Sequence, residues 1–265
     1  MRFQVNQDYH IHSHLSLCSG DPEQTTARML RYARENGLRE IVVTDHFWDD
    51  TVPVPWEWYG KQNFAHVSAS LPLPEEEGIR FLFGCESELW GLGMTLGITK
   101  ETMEKFDFVI IPTTHLHVCE IPTDTPEFRA KIWYDRFHNV LDRDLPFHKI
   151  GIAHLTCPLV SSYNPFEDHI RVFECLTDDQ YHECFEKAAK KGVGIELNLP
   201  PLAQYTGGSL ETILHPYKIA KEEGCRFYFG SDAHTPAAFD TCVKQFNDLV
   251  DLLDLTEDDR FTIGK

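Results

Sequence analysis

Seven short apolar runs, each closing on a polar group, constrain the fold of this chain more than any other feature. They are "DYHIHS", "EIVVTDH", "IRFLFGCESE", "FDFVIIPTTH", "KIGIAHLT", "VGIELNLP" and "RFYFGSDAH". Their middles are near-continuous Val, Ile, Leu and Phe, as expected for parallel strands covered on both faces. Amphipathic helical segments lie between several of them. "PEQTTARMLRYARENG" closes on Gly37, "TDDQYHECFEKAAKKG" starts at a Thr177 cap and ends at Gly192, and "TPAAFDTCVKQFNDLV" has Thr235 followed by Pro236 at its first turn. Further helices are predicted from Pro126 to about Leu141 and from Ser209 to Glu223, where Pro216 should bend or interrupt the second. Strand and helix signals alternate, which predicts an α/β protein with a parallel sheet. No repeat or Gly/Ser-rich linker interrupts the 265 residues, so one domain spanning 1–265 is expected. The exception to the alternation is Phe47 to Glu77, aromatic and proline-rich ("FWDDTVPVPWEWYG"), which reads as a long loop or lid with room for a short helix inside it.

The ends of the runs carry the chemistry. At their C-terminal sides stand His10 and His12, Asp45 and His46, Glu86, His115, His154, Asn198, and Asp232 with His234. In "DYHIHSHLS" the histidines fall at every second position, so an extended strand would present His10, His12 and His14 on one face. A barrel of parallel strands collects such ends on one rim, where the active sites of these barrels lie. Any one of these residues could be a satisfied buried polar group or a helix cap. Seven strand ends together point to a metal site. His and carboxylate donors without paired cysteines suit catalytic zinc, manganese or iron, and their number suits two or three ions.

Composition narrows the partners. A formal net charge of −18 disfavours nucleic acid and acidic membrane surfaces, leaving small molecules as expected ligands. The eight cysteines form no C-x-x-C pair and predict reduced, mostly buried thiols. No apolar run reaches the ~18 residues of a membrane span, and "MRFQVNQDYH" lacks the apolar segment of a secretory signal, so a cytoplasmic protein is expected. Oligomeric state is not readable.

"DYHIHS", "VVTDHF", "GCESEL", "TTHLH", "IAHLT" and "GSDAHTP", in this order, resemble the metal-binding motifs of the polymerase-and-histidinol-phosphatase (PHP) family, most closely its histidinol-phosphatase-like branch. The resemblance spans Asp8 to Pro236. It implies a distorted TIM-like (β/α)7 barrel with the metal site at the C-terminal rim. It also implies one metal held by His10, His12, Glu86 and Asp232, and a second by Glu86, His115 and His154, with Glu86 as the bridge. A third ion would use His46, His234 and a histidine several residues after the H-x-H. Cys18 stands there, leaving that site open, with His14 or Cys18 as substitutes.

Two divalent ions side by side clamp a phosphoryl group and deliver hydroxide, which fits hydrolysis of a small phosphomonoester. At family level the resemblance favours L-histidinol phosphate, a reaction of histidine biosynthesis. His234 and Asp45 are candidates for the acid that assists the leaving alkoxide, or for support of the ligands. Arg129, Lys131 and Arg136 in "PEFRAKIWYDRFH", together with His117 and Asn198, are candidates for substrate contact, and the aromatics Trp56, Trp58 and Tyr59 for covering an amine-bearing or heteroaromatic substrate or for packing on the barrel. Rival readings are a PHP esterase for another phosphate ester or nucleotide, an amidohydrolase-type enzyme, a polymerase-linked nuclease activity, and a non-catalytic module that binds a phosphorylated ligand.

Overall fold

A computed structural model of the chain describes residues 1–161, 166–205 and 207–264. Seven parallel strands follow one another in sequence order around a nearly closed barrel: β1 (Gln7–Ile11), β2 (Glu40–Val43), β3 (Arg80–Ser87), β4 (Phe108–Pro112), β5 (Ile150–Ala153), β6 (Gly194–Leu197) and β7 (Arg226–Phe229). Past β7 the chain returns to β1, where Asp232 N–H donates to the His10 carbonyl at 2.7 Å and His12 N–H to that of Ala233 at 3.1 Å. The expected seven-stranded α/β barrel is the observed one.

Helices α1 (Thr26–Glu35), α2 (Pro126–Asp142), α3 (Phe166–Glu174), α4 (Asp178–Lys191), α5 (Gly208–Glu222) and α6 (Cys242–Leu252) surround it. Thr177 and Gln180 cap α4 reciprocally, and Gly192 ends it at φ +72°. Pro216 lies inside α5, which runs through it rather than breaking. The helix expected from Thr235 is divided: Pro236–Asp240 forms a 3₁₀ turn, and the α-helix starts only at Cys242.

Inside the barrel, Tyr9, Leu82, Phe108, Ile110 and Tyr228 pack with Phe261 and Ile263 of the C-terminal segment. Tyr228 fits because β5 carries Gly151 beside it; a Cβ there would lie 2.3 Å from the Tyr228 hydroxyl. Leu82, Gly84 and Glu86 share a face of β3, so the apolar filling gives way to a carboxylate one layer higher. In β1 the register with β2 shifts between Asp8 and Ile11. The shift lets both Tyr9 and His10 point inward, Tyr9 to the filling and His10 to the rim.

Residues 47–77 form a long segment with short helical elements inside it, as expected. They contain helical turns at Glu57–Gly60, Phe64–Val67 and Ser68–Ser70, tied to the loop after β1. Leu17 N–H donates to Gln62 Oε1 at 2.9 Å, and His66 Nε2 lies 2.6 Å from the Leu15 carbonyl oxygen. Among the described residues no helix is long and apolar enough to cross a membrane, and all eight cysteines are free.

Candidate metal centre

Six of the seven strand ends, all but that of β6, deliver side chains to one point. β1 supplies His10 and, just past its end, His12; Glu86 comes from β3. His46 sits opposite Glu86 in the short pairing of His46–Phe47 with β3. His115 and His154 follow β4 and β5, and Asp232 and His234 follow β7. His154 (φ +24°) and Asp232 (φ +53°) hold left-handed backbone conformations, which cost of order 1–3 kcal/mol each and persist where the surroundings enforce them.

Glu86 is the hub. Its Oε2 lies 3.1 Å from His46 Nδ1, 3.4 Å from His12 Nε2 and 3.6 Å from His10 Nε2, and its Oε1 lies 3.3 Å from His154 Nε2. Asp232 Oδ1 is 3.1 Å from His12 Nε2, 3.4 Å from His10 Nε2 and 3.5 Å from His234 Nδ1. Three groups each place their donor atoms within 4.8 Å of one another: His10, His12 and Glu86; Glu86, His115 and His154; and His12, His46 and His234. Imidazole and carboxylate donors so arranged fit zinc, manganese or iron.

A second ring of residues holds the donors in place. Glu196 accepts from His10 Nδ1 at 2.7 Å and from the His154 backbone N–H. Glu88 Oε2 lies 2.7 Å from His115 Nδ1, Thr114 Oγ1 2.8 Å from His154 Nδ1, and Ser16 Oγ 2.8 Å from His12 Nδ1. With Nδ1 occupied, each of these rings turns Nε2 toward the centre, the arrangement by which metal-binding histidines are oriented.

The charges are mutually dependent. Burial raises the cost of ionising Glu86, yet His46 and His10 hold its carboxyl well below the usual range; His10 and His12 do the same for Asp232. Burial lowers His10, but Glu196, Asp232 and Glu86 outweigh it and raise the ring well above the usual imidazole range; His12 is raised to about 9 by Asp232 and Glu86, and the two Nε2 atoms lie 3.0 Å apart, one donating to the other.

The candidate residues divide by position. His46, Glu86, His115, His117, His154, Asp232 and His234 line a cavity of about 420 Å³ together with Cys18, Trp56, Trp58, Tyr59 and Leu159, and His10 and His12 lie buried against Glu86 and Asp232. His14 is apart: β1 ends at Ile11, the alternation lapses, and the exposed ring meets the Gln24 carbonyl. Asp45 is buried away from the cavity, accepting from the Ser13 backbone and from the hydroxyls of Ser13 and Ser16. It steadies His12 through Ser16 and does not reach a leaving group. Arg136 is fully buried, with the Thr113 carbonyl at 2.9 Å, that of Pro112 at 3.2 Å and Glu88 at 3.4 Å. Arg129 is buried against Asp124 and the Val160 carbonyl, and Lys131 pairs with Asp135 on the exposed face of α2. Asn198 follows β6 outside the cavity lining. Glu88 and Glu196 are the functional residues that the sequence reading missed. Both had a signal: Glu88 is one alternation beyond Glu86, and Glu196 is a lone acid inside the apolar run "VGIELNLP".

Histidinol phosphate phosphatase from Lactococcus lactis subsp. lactis, solved with zinc, L-histidinol and phosphate, matches over 95% of this chain and 94% of that one, with TM-score 0.61 and 19% identity. The fold is that of a histidinol phosphate phosphatase. A Listeria monocytogenes protein provisionally named histidinol phosphatase matches over 88% of this chain and 96% of its own, with TM-score 0.53 and 12% identity. No family profile matches the chain, and no curated protein sequence matches it.

Proposed function

We propose that the chain is a metal-dependent phosphatase of small phosphomonoesters, with L-histidinol phosphate as its substrate and a cytoplasmic place in histidine biosynthesis. The observation that carries the reading is the sharing of Glu86 between two groups of donors at the floor of one cavity. The Lactococcus protein, similar in fold, was solved with the two products of that hydrolysis and with zinc.

His10, His12, Glu86 and Asp232 would hold one ion, Glu86, His115 and His154 a second, and His46 and His234, which share the cavity with Cys18, a third. Divalent ions held there supply Lewis acidity toward phosphoryl oxygens and acidify bound water. Overall, water adds to phosphorus, the ester P–O bond breaks, and the alcohol leaves with one proton.

The chain's own groups orient and exclude. His234 Nδ1 donates to the Asp232 carbonyl at 2.8 Å, so its Nε2 keeps a lone pair and acts as a ligand rather than an acid. Burial and the neighbouring His115 lower His117 to about 4. Neutral at pH 7, it offers an N–H to a phosphoryl oxygen. No Lys or Arg lines the cavity among the described residues, so the phosphate charge must be met by the ions themselves. The test is phosphate release from L-histidinol phosphate by protein stripped with chelator and reloaded with zinc, manganese or iron. Activity that returns with metal supports the reading; a metal-loaded protein that releases no phosphate from a broad ester panel contradicts it.

A further inference from the structure

The metal ligands account for the floor of the cavity but not for its wall. Trp56 and Trp58 stack with centroids 5.5 Å apart and 19° between planes, and Trp58 meets His46 edge-on at 5.4 Å. Trp56 is 53% exposed, an unusual place for the largest apolar side chain. The pair is not a loose lid. Tyr59 packs at 84° to Trp58, 4.8 Å away, and its buried hydroxyl donates to Glu88 Oε2 at 2.9 Å, the same oxygen that partners His115. Gln62, fully buried, ties the segment to the loop after β1 and, through its carbonyl, to Trp48 N–H. A rigid indole surface thus stands fixed relative to the metal ligands.

The rest of the lining says what that surface is for. Among the described residues no Ser, Thr, Asn, Gln, Lys or Arg side chain faces the cavity. Apart from the metal ligands the lining is Trp56, Trp58, Tyr59, Leu159, Cys18 and His117, so a polyol leaving group would exchange water for a mostly apolar wall with few partners for its hydroxyls, a costly exchange. A planar ring loses little there and gains stacking. We infer that Trp58, with Trp56 behind it, is the specificity-determining surface for the leaving group, and that the site selects phosphomonoesters whose alcohol carries a planar ring. The inference rests on the phosphatase reading for its assay.

The experiment compares kcat/KM for L-histidinol phosphate, benzyl phosphate, phosphoethanolamine and glycerol 3-phosphate in the metal-loaded protein. All four release an alkyl alcohol, so leaving-group acidity does not dominate the comparison. The ring-bearing esters are expected to be preferred over both ring-free ones. Trp58→Ala should reduce that preference about tenfold, equivalent to about 1.4 kcal/mol, and Trp58→Phe should retain most of it. A preference absent in the wild type, or unchanged in Trp58→Ala, overturns the inference. Preference for phosphoethanolamine with the histidinol ester also overturns it, in favour of ammonium recognition. Calorimetric binding of L-histidinol separates the two levels. Binding that is lost in Trp58→Ala, with no ester hydrolysed, overturns the phosphatase reading and keeps the wall; L-histidinol that binds neither form overturns the wall whatever the turnover.

Discussion

Glu196→Gln isolates what the residues behind the ligands contribute. The Glu196 side chain is wholly buried and receives two donors, His10 Nδ1–H at 2.7 Å and the His154 backbone N–H. Glutamine keeps the shape but replaces one acceptor with a donor, so it can satisfy only one of the two. The other is left unpaired in the interior, at a cost of about 1–3 kcal/mol. Loss of the anion also weakens His10 as a ligand; changes at such supporting positions typically cost about 10–100-fold in metal affinity, or roughly 1.4–2.7 kcal/mol. The pH dependence carries a second signature. Glu196 is the leading group that raises His10 against the effect of burial, so its removal lets the ring release its proton at lower pH. Proton competition then weakens, and the affinity deficit of the variant should be greatest in alkaline buffer and shrink as pH falls. Competition against a chromophoric chelator across pH reads both effects, with circular dichroism to confirm the fold. Zinc affinity within about twofold of wild type at every pH would refute a supporting role for Glu196, given the 10–100-fold expected.

Three further outcomes follow from the same geometry. With His10 and His12 both raised by the carboxylates around them, metal binding near pH 7 should release protons and tighten as pH rises toward 9; calorimetry in buffers of different ionisation enthalpy measures this, and no proton release would contradict the assigned ligands. Gly230→Ala would set a Cβ 1.8 Å from Glu196 Oε1 and 2.6 Å from His10 Cβ, so it should cost about 1–3 kcal/mol in denaturant unfolding and disturb metal retention; wild-type values for both would refute the close approach. Arg136→Met should cost about 3–5 kcal/mol of stability by stranding Glu88 and two carbonyls, and weaken metal retention through Glu88 and His115; a raised KM at wild-type stability and metal content would make Arg136 a phosphate contact instead.

What the sequence showed of this protein depended on how local the cause was. Apolar runs and Gly or Thr boundaries are local, and they located the seven strands and most helices. His10, His12, Glu86, His115, His154 and Asp232 were legible because parallel strands put all their C-terminal ends on one rim. His14 was misleading because alternation holds only within a strand, and β1 ends at Ile11. Arg129 and Arg136 looked available because charge on a helix suggests solvent, whereas both sit on the face of α2 turned to the barrel. The roles of Glu88 and Glu196 depend on partners 27 and 186 residues away, a relation no short window contains. Segment 47–77 read as a loop with at most a short helix, and the positions of its turns were not legible because they are four residues or fewer and are held by contacts to the loop after β1.

A multinuclear hydrolytic site organised by one buried carboxylate stands or falls with Glu86. The most direct measurement is metal content by mass spectrometry together with phosphate release from L-histidinol phosphate, for the wild type beside Glu86→Gln. The account predicts at least two ions per chain with turnover in the wild type, and loss of both in the variant. A variant that keeps its metals and its rate would contradict it.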